Sequence, residues 1–463
     1  MRPLRPPRAR GGAGAVPCEL TIEALAPGGA GVAHVEREGR RRTVFVPGAA
    51  TGDVLSAVVD FSPRPARGRV LRVLSASPDR RDAADIPCRH LAACGACDFM
   101  HLTRAAQEEA HRAFVRGSLP APLAHHSPST VAAPSSTGYR TRARLHVVAK
   151  RGRVACGMHA LGTREPVLVD ACVVLDPRLD AARAALPALL EGASGDGEAH
   201  IALGRAQSGE RAPVLTLDWR GEPLPAAVFA RLDAAIARGS LAGAAIASPG
   251  ARAAAKLGQA TPVARGADGE PLDLALGGFA QAHEDTNLAL ATAVTRAVEA
   301  LLAQASCPGD GRALTELYAG SGNLTVLLAR LAPGLLALEA HGPACDALRA
   351  NLARRGLRAR VVQGDADAHK WSPATRVAVL DPPRTGARAA AASLAKSAVT
   401  GIVMVSCDPP TLGRDLALLA PRFELTELTT FEMFPETSHV ETLAVLRRRR
   451  PGREPPRGDT GPR

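Results

Sequence analysis

The chain has 463 residues, of which 46% are hydrophobic, and a formal net charge of +12. That length exceeds one compact core and predicts two or three domains, while no apolar run of about eighteen residues is present to cross a bilayer. The opening MRPLRPPRAR has charge but no apolar stretch behind it, which argues against a secretory signal. Nine cysteines at uneven spacings then point to metal binding or catalysis in a reducing cytoplasm rather than to disulfides.

The charge is concentrated at the ends. Residues 1–15 carry Arg2, Arg5, Arg8 and Arg10 with no acid, and residues 447–463 carry seven Arg against Glu454 and Asp459. Residues 1–16 and 449–463 are Pro/Gly/Arg-rich and predict disordered basic tails. Such arms raise affinity for phosphate backbones without reading sequence. The chain also uses 53 Arg against four Lys, so compositional drift explains the charge equally well.

Residues 17–78 alternate apolar and polar positions in CELTIEAL, GVAHVE, RTVFVPG, DVLSAVVDF and GRVLRVL, with breaks such as Pro27-Gly28-Gly29. Five short strands at that spacing predict a small β-barrel of the oligonucleotide-binding kind. The GGAGVAH and VFVPGAATGDVL segments resemble the TRAM domain, a small RNA-binding barrel.

Residues 79–270 read as a mixed α/β central domain containing a cysteine cluster. Cys88, Cys94 and Cys97 form a C-x5-C-x2-C spacing, and Cys172 follows in DACVVLDP. Two thiolates two residues apart can grip one face of a metal, and four suit either an iron–sulfur cluster or structural zinc. His90 and His101 keep a mixed-ligand zinc site open. The isolated Cys18, Cys156, Cys307 and Cys345 read as small core hydrophobes.

Residues 271–448 alternate strand and helix. A helix is expected over Asp285–Ala303, with Asp285 or Thr286 as its cap. A strand over Ala313–Ala319 leads into Gly320-Ser321-Gly322-Asn323, and later strands end at Glu339, Asp365 and Asp381. Cys407 follows the apolar run Ile402–Val405, at the end of a strand where open α/β sheets hold ligands. Position 325 is Thr, so the dinucleotide G-x-G-x-x-G is absent and S-adenosyl-L-methionine (AdoMet) is favoured over NAD. Glu339 is spaced to bond both ribose hydroxyls, and Asp365 to meet the adenine edge. The fold class expected is α/β: a doubly wound, Rossmann-like AdoMet-binding domain, the N-terminal barrel and the central α/β domain.

The ordered set FAQ, ELYAGSGN, LE, GD, DPPRTG, VSCDPPTLGRD and HVET is similar to the RNA (uracil-5-)-methyltransferase family. The likeness runs from Cys18 to Leu446, and most resembles members that carry a [4Fe-4S] cluster and methylate 23S ribosomal RNA. It implies that Cys88, Cys94, Cys97 and Cys172 hold the cluster. Gln281, Tyr318, Asn323, Glu339, Asp365 and Asp381 would line the AdoMet and target-base sites, with Cys407 as nucleophile and Glu441 as base. The sequence departs from the family at Ala280, at His283 where Asn is usual, at Glu316 and Tyr318, and at Asp408 after the cysteine. The His283 change bears on target-base contacts near Gln281.

Uracil C5 is too weak a nucleophile to take a methyl group directly. Adding a thiolate at C6 makes C5 nucleophilic, and a base must later remove the C5 proton so that the thiolate leaves. Cys407 and Glu441 suit these roles, Asp381 could hold the N3–H or O4 edge, and His439 would support the Glu441 loop. A base reacting there must leave its stack, and Phe279, Phe431 and Phe434 are the candidates to receive it. The expected product is 5-methyluridine in 23S rRNA, made by a cytoplasmic monomer with no membrane partner. The alternatives are a tRNA substrate or a non-catalytic RNA-binding assembly factor. A cytosine-5 enzyme would carry a second Cys in the Asp-Pro-Pro motif, and a radical enzyme would need C-x3-C-x2-C.

Overall fold

The structure is a computed structural model, and it describes residues 15–150, 152–160, 166–305 and 313–450. Nearly all of both expected basic tails, and Cys307, lie outside these residues. Contacts group the chain into two units. The first comprises Met1–Phe114, Met158–Val169 and Glu436–His439; the second comprises Val115–Gly157, Asp170–Pro435 and Val440–Arg463.

In the first unit the five expected strands appear as six, because the first is broken at Ile22-Glu23. Ala15–Thr21 pairs with Val54–Asp60, whereas Ala24–Leu25 pairs with Gly31–Arg37. The Ile22 N–H bonds Asp53 O at 2.9 Å and the Glu23 N–H bonds Val32 O at 2.8 Å. One kinked strand therefore belongs to both ends of the sheet order and closes the barrel, which removes exposed edges. Leu20, Val44, Val46, Leu55, Ala57 and Val59 fill the interior, as the alternation dictates. After the barrel, the cysteine segment is bonded to itself and to a returning strand: the Cys94 N–H donates to His90 O, and the Gly95 N–H donates to His159 O.

The second unit holds two larger sheets. In the central one, Arg142–Lys150 pairs with Arg153–His159 and with Gly195–Arg205, which pairs with Arg211–Gly221. The Ala-rich stretch between them forms the helix Pro177–Leu189, capped by Asp176.

The catalytic sheet runs in the order 360–363, 336–339, 314–317, 377–380, 401–406, 441–448, 423–431 and 129–131. Only Glu441–Arg448 runs against its neighbours. Its strands are apolar at successive positions because both faces are covered. Val377 and Val379 pack on one face with the helix Glu284–Gln304, while Ala378 and Leu380 pack on the other with helices Arg388–Lys396 and Pro409–Leu419. The added strand Ser129–Val131, upstream of the central sheet, was not legible in the sequence.

One local expectation is corrected. The helix spans Glu284–Gln304, and its cap is His283 rather than Asp285 or Thr286. The His283 Nδ1 accepts the Thr286 N–H at 3.4 Å, taking a donor that the first turn leaves unsatisfied.

Candidate active site

The glycine turn follows Leu314–Leu317. Tyr318, Gly320 and Gly322 have φ of 62°, 55° and 96°. A Cβ on Gly322 would come within 3.0 Å of Leu348 Cγ, so glycine is required there for both conformation and space. A Cβ on Gly320 would meet nothing within 4 Å, which leaves an open cradle above the turn. Glu339, ending the neighbouring strand, closes one side: Gly320 N–H donates to its Oε2 at 2.9 Å and His341 N–H to its Oε1 at 2.8 Å. Asp365 ends the next strand and caps the short turn Ala366–Ala368 by accepting the Asp367 N–H at 2.9 Å. The Tyr318 hydroxyl donates to Asp367 Oδ1 at 3.4 Å, and burial raises its pKa. Asn323 exchanges two amide hydrogen bonds with Asn287, at 2.8 and 3.0 Å, tying the turn to the long helix. These strand ends fit a nucleoside methyl donor: a glycine cradle, then carboxylates in the order Glu339, Asp365.

Three further groups meet along the same sheet edge. Asp381 follows Val377–Leu380, which pairs with Gly401–Ser406, and Cys407 follows that strand. Ser406 is opposite Thr442, the neighbour of Glu441. Glu441 is only 2% exposed. Its carboxyl is driven well above the usual carboxylate range by burial first and then by Asp381, while Arg384 opposes the rise. Burial raises Asp381 too. The Cys407 thiol is pushed up to about 12 by burial, then by Glu441 and Asp381, with Arg384 again opposing. The thiol therefore stays protonated beside two carboxyls, Glu441 buried and Asp381 partly so, that resist ionising together. Arg384, the cation acting on this group, stands in DPPRTG and was not singled out from the sequence.

The motif residues around these groups act as clamps. Asp415 Oδ2 accepts the Ala387 N–H at 2.7 Å, and the Arg414 guanidinium donates to Thr385 O at 3.0 Å, so TLGRD fixes the loop that follows DPPRTG. Gly413 lies so near Ser118 that a Cβ would come within 1.9 Å of its carbonyl oxygen. Asp408 caps the helix Pro409–Leu419 by accepting the Thr411 N–H at 3.0 Å. A carboxylate and an amide cap equally well, which accounts for Asp in place of Asn. The His283 departure has a similar account. Buried, it caps its helix, stacks on Tyr139 with centroids 5.0 Å apart, and bonds Ser135 O at 3.2 Å. Gln281, two residues earlier, is buried with no hydrogen-bond partner for its Oε1.

Beside FAQ runs a groove of about 130 Å³ lined by Arg140, Arg142, Arg144 and His200, among others. Burial, with like charge from Arg140 and Arg144, lowers Arg142 to about 10. Arg142 also covers the Phe279 ring at 5.5 Å, and that ring is 64% exposed. Three arginines at alternate positions of YRTRAR share one strand face, a pattern readable in the sequence but missed. Phe431 instead lies in the core.

Cys88, Cys94 and Cys97 lie in the first unit and Cys172 in the second. Among the described residues no three His, Cys, Asp or Glu side chains are grouped so as to hold a metal ion. Nor is any helix of the described residues long and apolar enough to cross a membrane.

The sequence model of the tRNA (uracil-5-)-methyltransferase family matches residues 365–449. The chain is 33% identical to the 23S rRNA (uracil(1939)-C(5))-methyltransferase of Alkalilimnicola ehrlichii, over 93% of this chain and 97% of that one. It is 32% identical to the protein of the same description from Pseudomonas putida, over 92% and 93%. In fold it is similar to the Pyrococcus abyssi tRNA (uracil-54, C5)-methyltransferase solved with S-adenosyl-L-homocysteine. That likeness has a TM-score of 0.68 at 19% identity and covers 93% of this chain and 100% of that one. The sheet order, the motif set and the near-full-length identity agree: the chain belongs to the family of AdoMet-dependent RNA (uracil-5-)-methyltransferases.

Proposed function

We propose that this enzyme methylates C5 of a specific uridine in 23S rRNA through a transient bond between Cys407 Sγ and uracil C6. The observation that carries the proposal is the meeting of Asp381, Cys407 and Glu441 along one sheet edge, with Arg384 acting on the group. Bound AdoMet supplies an electrophilic methyl group. Sγ adds to C6 as the thiol proton leaves through the carboxyl pair to solvent, so that Glu441 is a carboxylate; C5, now enolate-like, bonds to the methyl carbon as the donor's sulfur–methyl bond breaks. Glu441 then takes the C5 proton, the Sγ–C6 bond breaks and the thiol is restored. The net change is one proton exchanged for one methyl group at C5. Asp381 is assigned the N3–H or O4 edge of the base, and the unpartnered Gln281 Oε1 is a further acceptor for it. Glu339 and Asp365 would take the ribose and adenine of AdoMet, with Tyr318 and Asn323 shaping the turn beneath.

The test separates the two catalytic roles. Cys407→Ala should lose methylation while keeping AdoMet affinity, and more than a trace of turnover would remove the nucleophile assignment. Glu441→Gln should accumulate a protein–RNA band on a denaturing gel; no band would remove Glu441 as base.

The rRNA substrate is supported by the names of the full-length relatives and by the Arg-lined groove. A tRNA substrate is the second reading, favoured by the name of the matching family model. Methylation of protein-free 23S rRNA against unmodified tRNA decides between them. The division of labour proposed is a TRAM-type RNA-binding barrel over 17–78, a central domain over 79–270 and the transferase domain over 271–448, in a cytoplasmic enzyme. A [4Fe-4S] cluster on Cys88, Cys94, Cys97 and Cys172 is proposed on the resemblance to cluster-bearing members of the family, the cysteine spacing suiting zinc as well. No step of the reaction uses it. Protein purified without oxygen should contain about four iron and four sulfide per chain; stoichiometric zinc without sulfide would refute it.

A further inference from the structure

The segment Glu436–His439 groups with the first unit and leads, after Val440, into the strand that begins at Glu441. Three successive residues there, Glu436 to Ser438, are held from several sides. Glu436 is fully buried and has a φ of 67°, a left-handed conformation costly for a residue with a side chain. Its carboxylate accepts from Arg81 Nη2 at 3.0 Å and from Gln107 Nε2 at 2.9 Å, and its own N–H donates to Gln107 Oε1 at 3.0 Å. Its carbonyl accepts the Phe99 N–H at 3.0 Å. His111 Nε2 bonds Thr437 O at 2.9 Å. The Ser438 N–H and hydroxyl both donate to Asp98, at 2.7 and 2.6 Å. On the preceding side, the Tyr139 hydroxyl donates to Pro435 O at 3.0 Å.

We propose that this buried lock positions Glu441, making Asp98, Gln107 and Glu436 positioning residues for the proton-removal step. The proposal rests on the reading of Glu441 as base. A surface loop needs no such network, and a left-handed, buried glutamate persists only where its surroundings over-determine it. Here the surroundings fix the chain three to five residues before the strand that carries the carboxyl. A base must reach the C5 proton at hydrogen-bond distance, so slack in this segment acts on adduct breakdown, the step after methyl transfer.

The test uses Glu436→Gly, which accepts the positive φ and removes only the carboxylate anchor, and Gln107→Met, which leaves the Glu436 backbone and charge in place. Single-turnover methyl transfer and decay of the protein–RNA adduct are timed separately, with Glu441→Gln run alongside. Adduct decay should slow about 10- to 100-fold in either variant, with methyl transfer and the KM for RNA little changed. Glu436→Gln, which keeps an acceptor for Gln107, should recover most of the loss. If Glu441→Gln traps adduct while neither lock variant slows its decay, the lock is merely structural and the proposal fails alone. Equal slowing of both steps has the same meaning. If Glu441→Gln traps nothing, the base assignment fails and takes the lock with it. Should Glu436→Gly not fold, Gln107→Met with the Glu436→Gln comparison decides the matter.

Discussion

Replacing Glu316 with Gln tests the electrostatics of the sheet edge without touching a reacting group. Glu316 lies in Leu314–Leu317, 2% exposed, and its Oε2 has no hydrogen-bond partner. Burial is the main cause raising its pKa from 4.5 to about 8, with Asp381 and Glu339 adding to the rise and the Thr325 hydroxyl opposing it. A carboxyl whose folded pKa is raised contributes stability that is full below the unfolded value. That stability is lost as pH rises through the folded one. One pKa unit is worth about 1.4 kcal/mol, so between pH 5 and pH 7.5 the wild-type chain loses about 3 kcal/mol through this group. Glutamine fills the same space and does not titrate. Any fixed cost of its amide is the same at both pH values. The stability of Glu316→Gln relative to wild type should therefore rise by about 3 kcal/mol between pH 5 and pH 7.5, read from urea unfolding with an unchanged slope. Parallel pH dependences for the two proteins would show that Glu316 is ionised when folded, and that the burial argument fails.

Three other perturbations probe the cofactor cradle, the clamp and the groove. Glu339→Ala removes the acceptor of the Gly320 and His341 N–H groups, so AdoMet affinity measured by calorimetry should fall about tenfold or more; an unchanged Kd would dissociate Glu339 from the nucleoside. Gly413→Ala puts a methyl group against the Ser118 carbonyl and should cost at least about 1–3 kcal/mol, seen as a lower Tm; a wild-type melt would mean that the two segments part freely. Arg142→Ala should weaken RNA binding and reduce the salt slope by about 0.7–0.9, with AdoMet affinity unchanged; an unaltered slope would remove the groove from the RNA path.

Local patterns in the sequence determined the barrel strands and the α/β alternation. They also determined the positions at which Gly320, Glu339, Asp365, Asp381 and Cys407 close their strands, because a strand buried on both faces must be an apolar run, and its end is marked where the run stops. Cys407 and Glu441 were joined in one site by the family resemblance and the chemistry of uracil, but not by local spacing. Their meeting depends on Glu441–Arg448 inserting antiparallel beside Gly401–Ser406, and pairing between distant segments leaves no trace in local spacing. Tertiary structure alone decided that His283 is a buried cap, that TLGRD clamps DPPRTG, and that three alternating arginines line a groove, one of them covering Phe279. It also decided that Glu436–His439 packs with the first unit. The thirty-odd residues before Glu441 read as ordinary strand and loop. What fixes their end is a set of donors and acceptors some 330 residues away in the chain, brought into reach only by the fold.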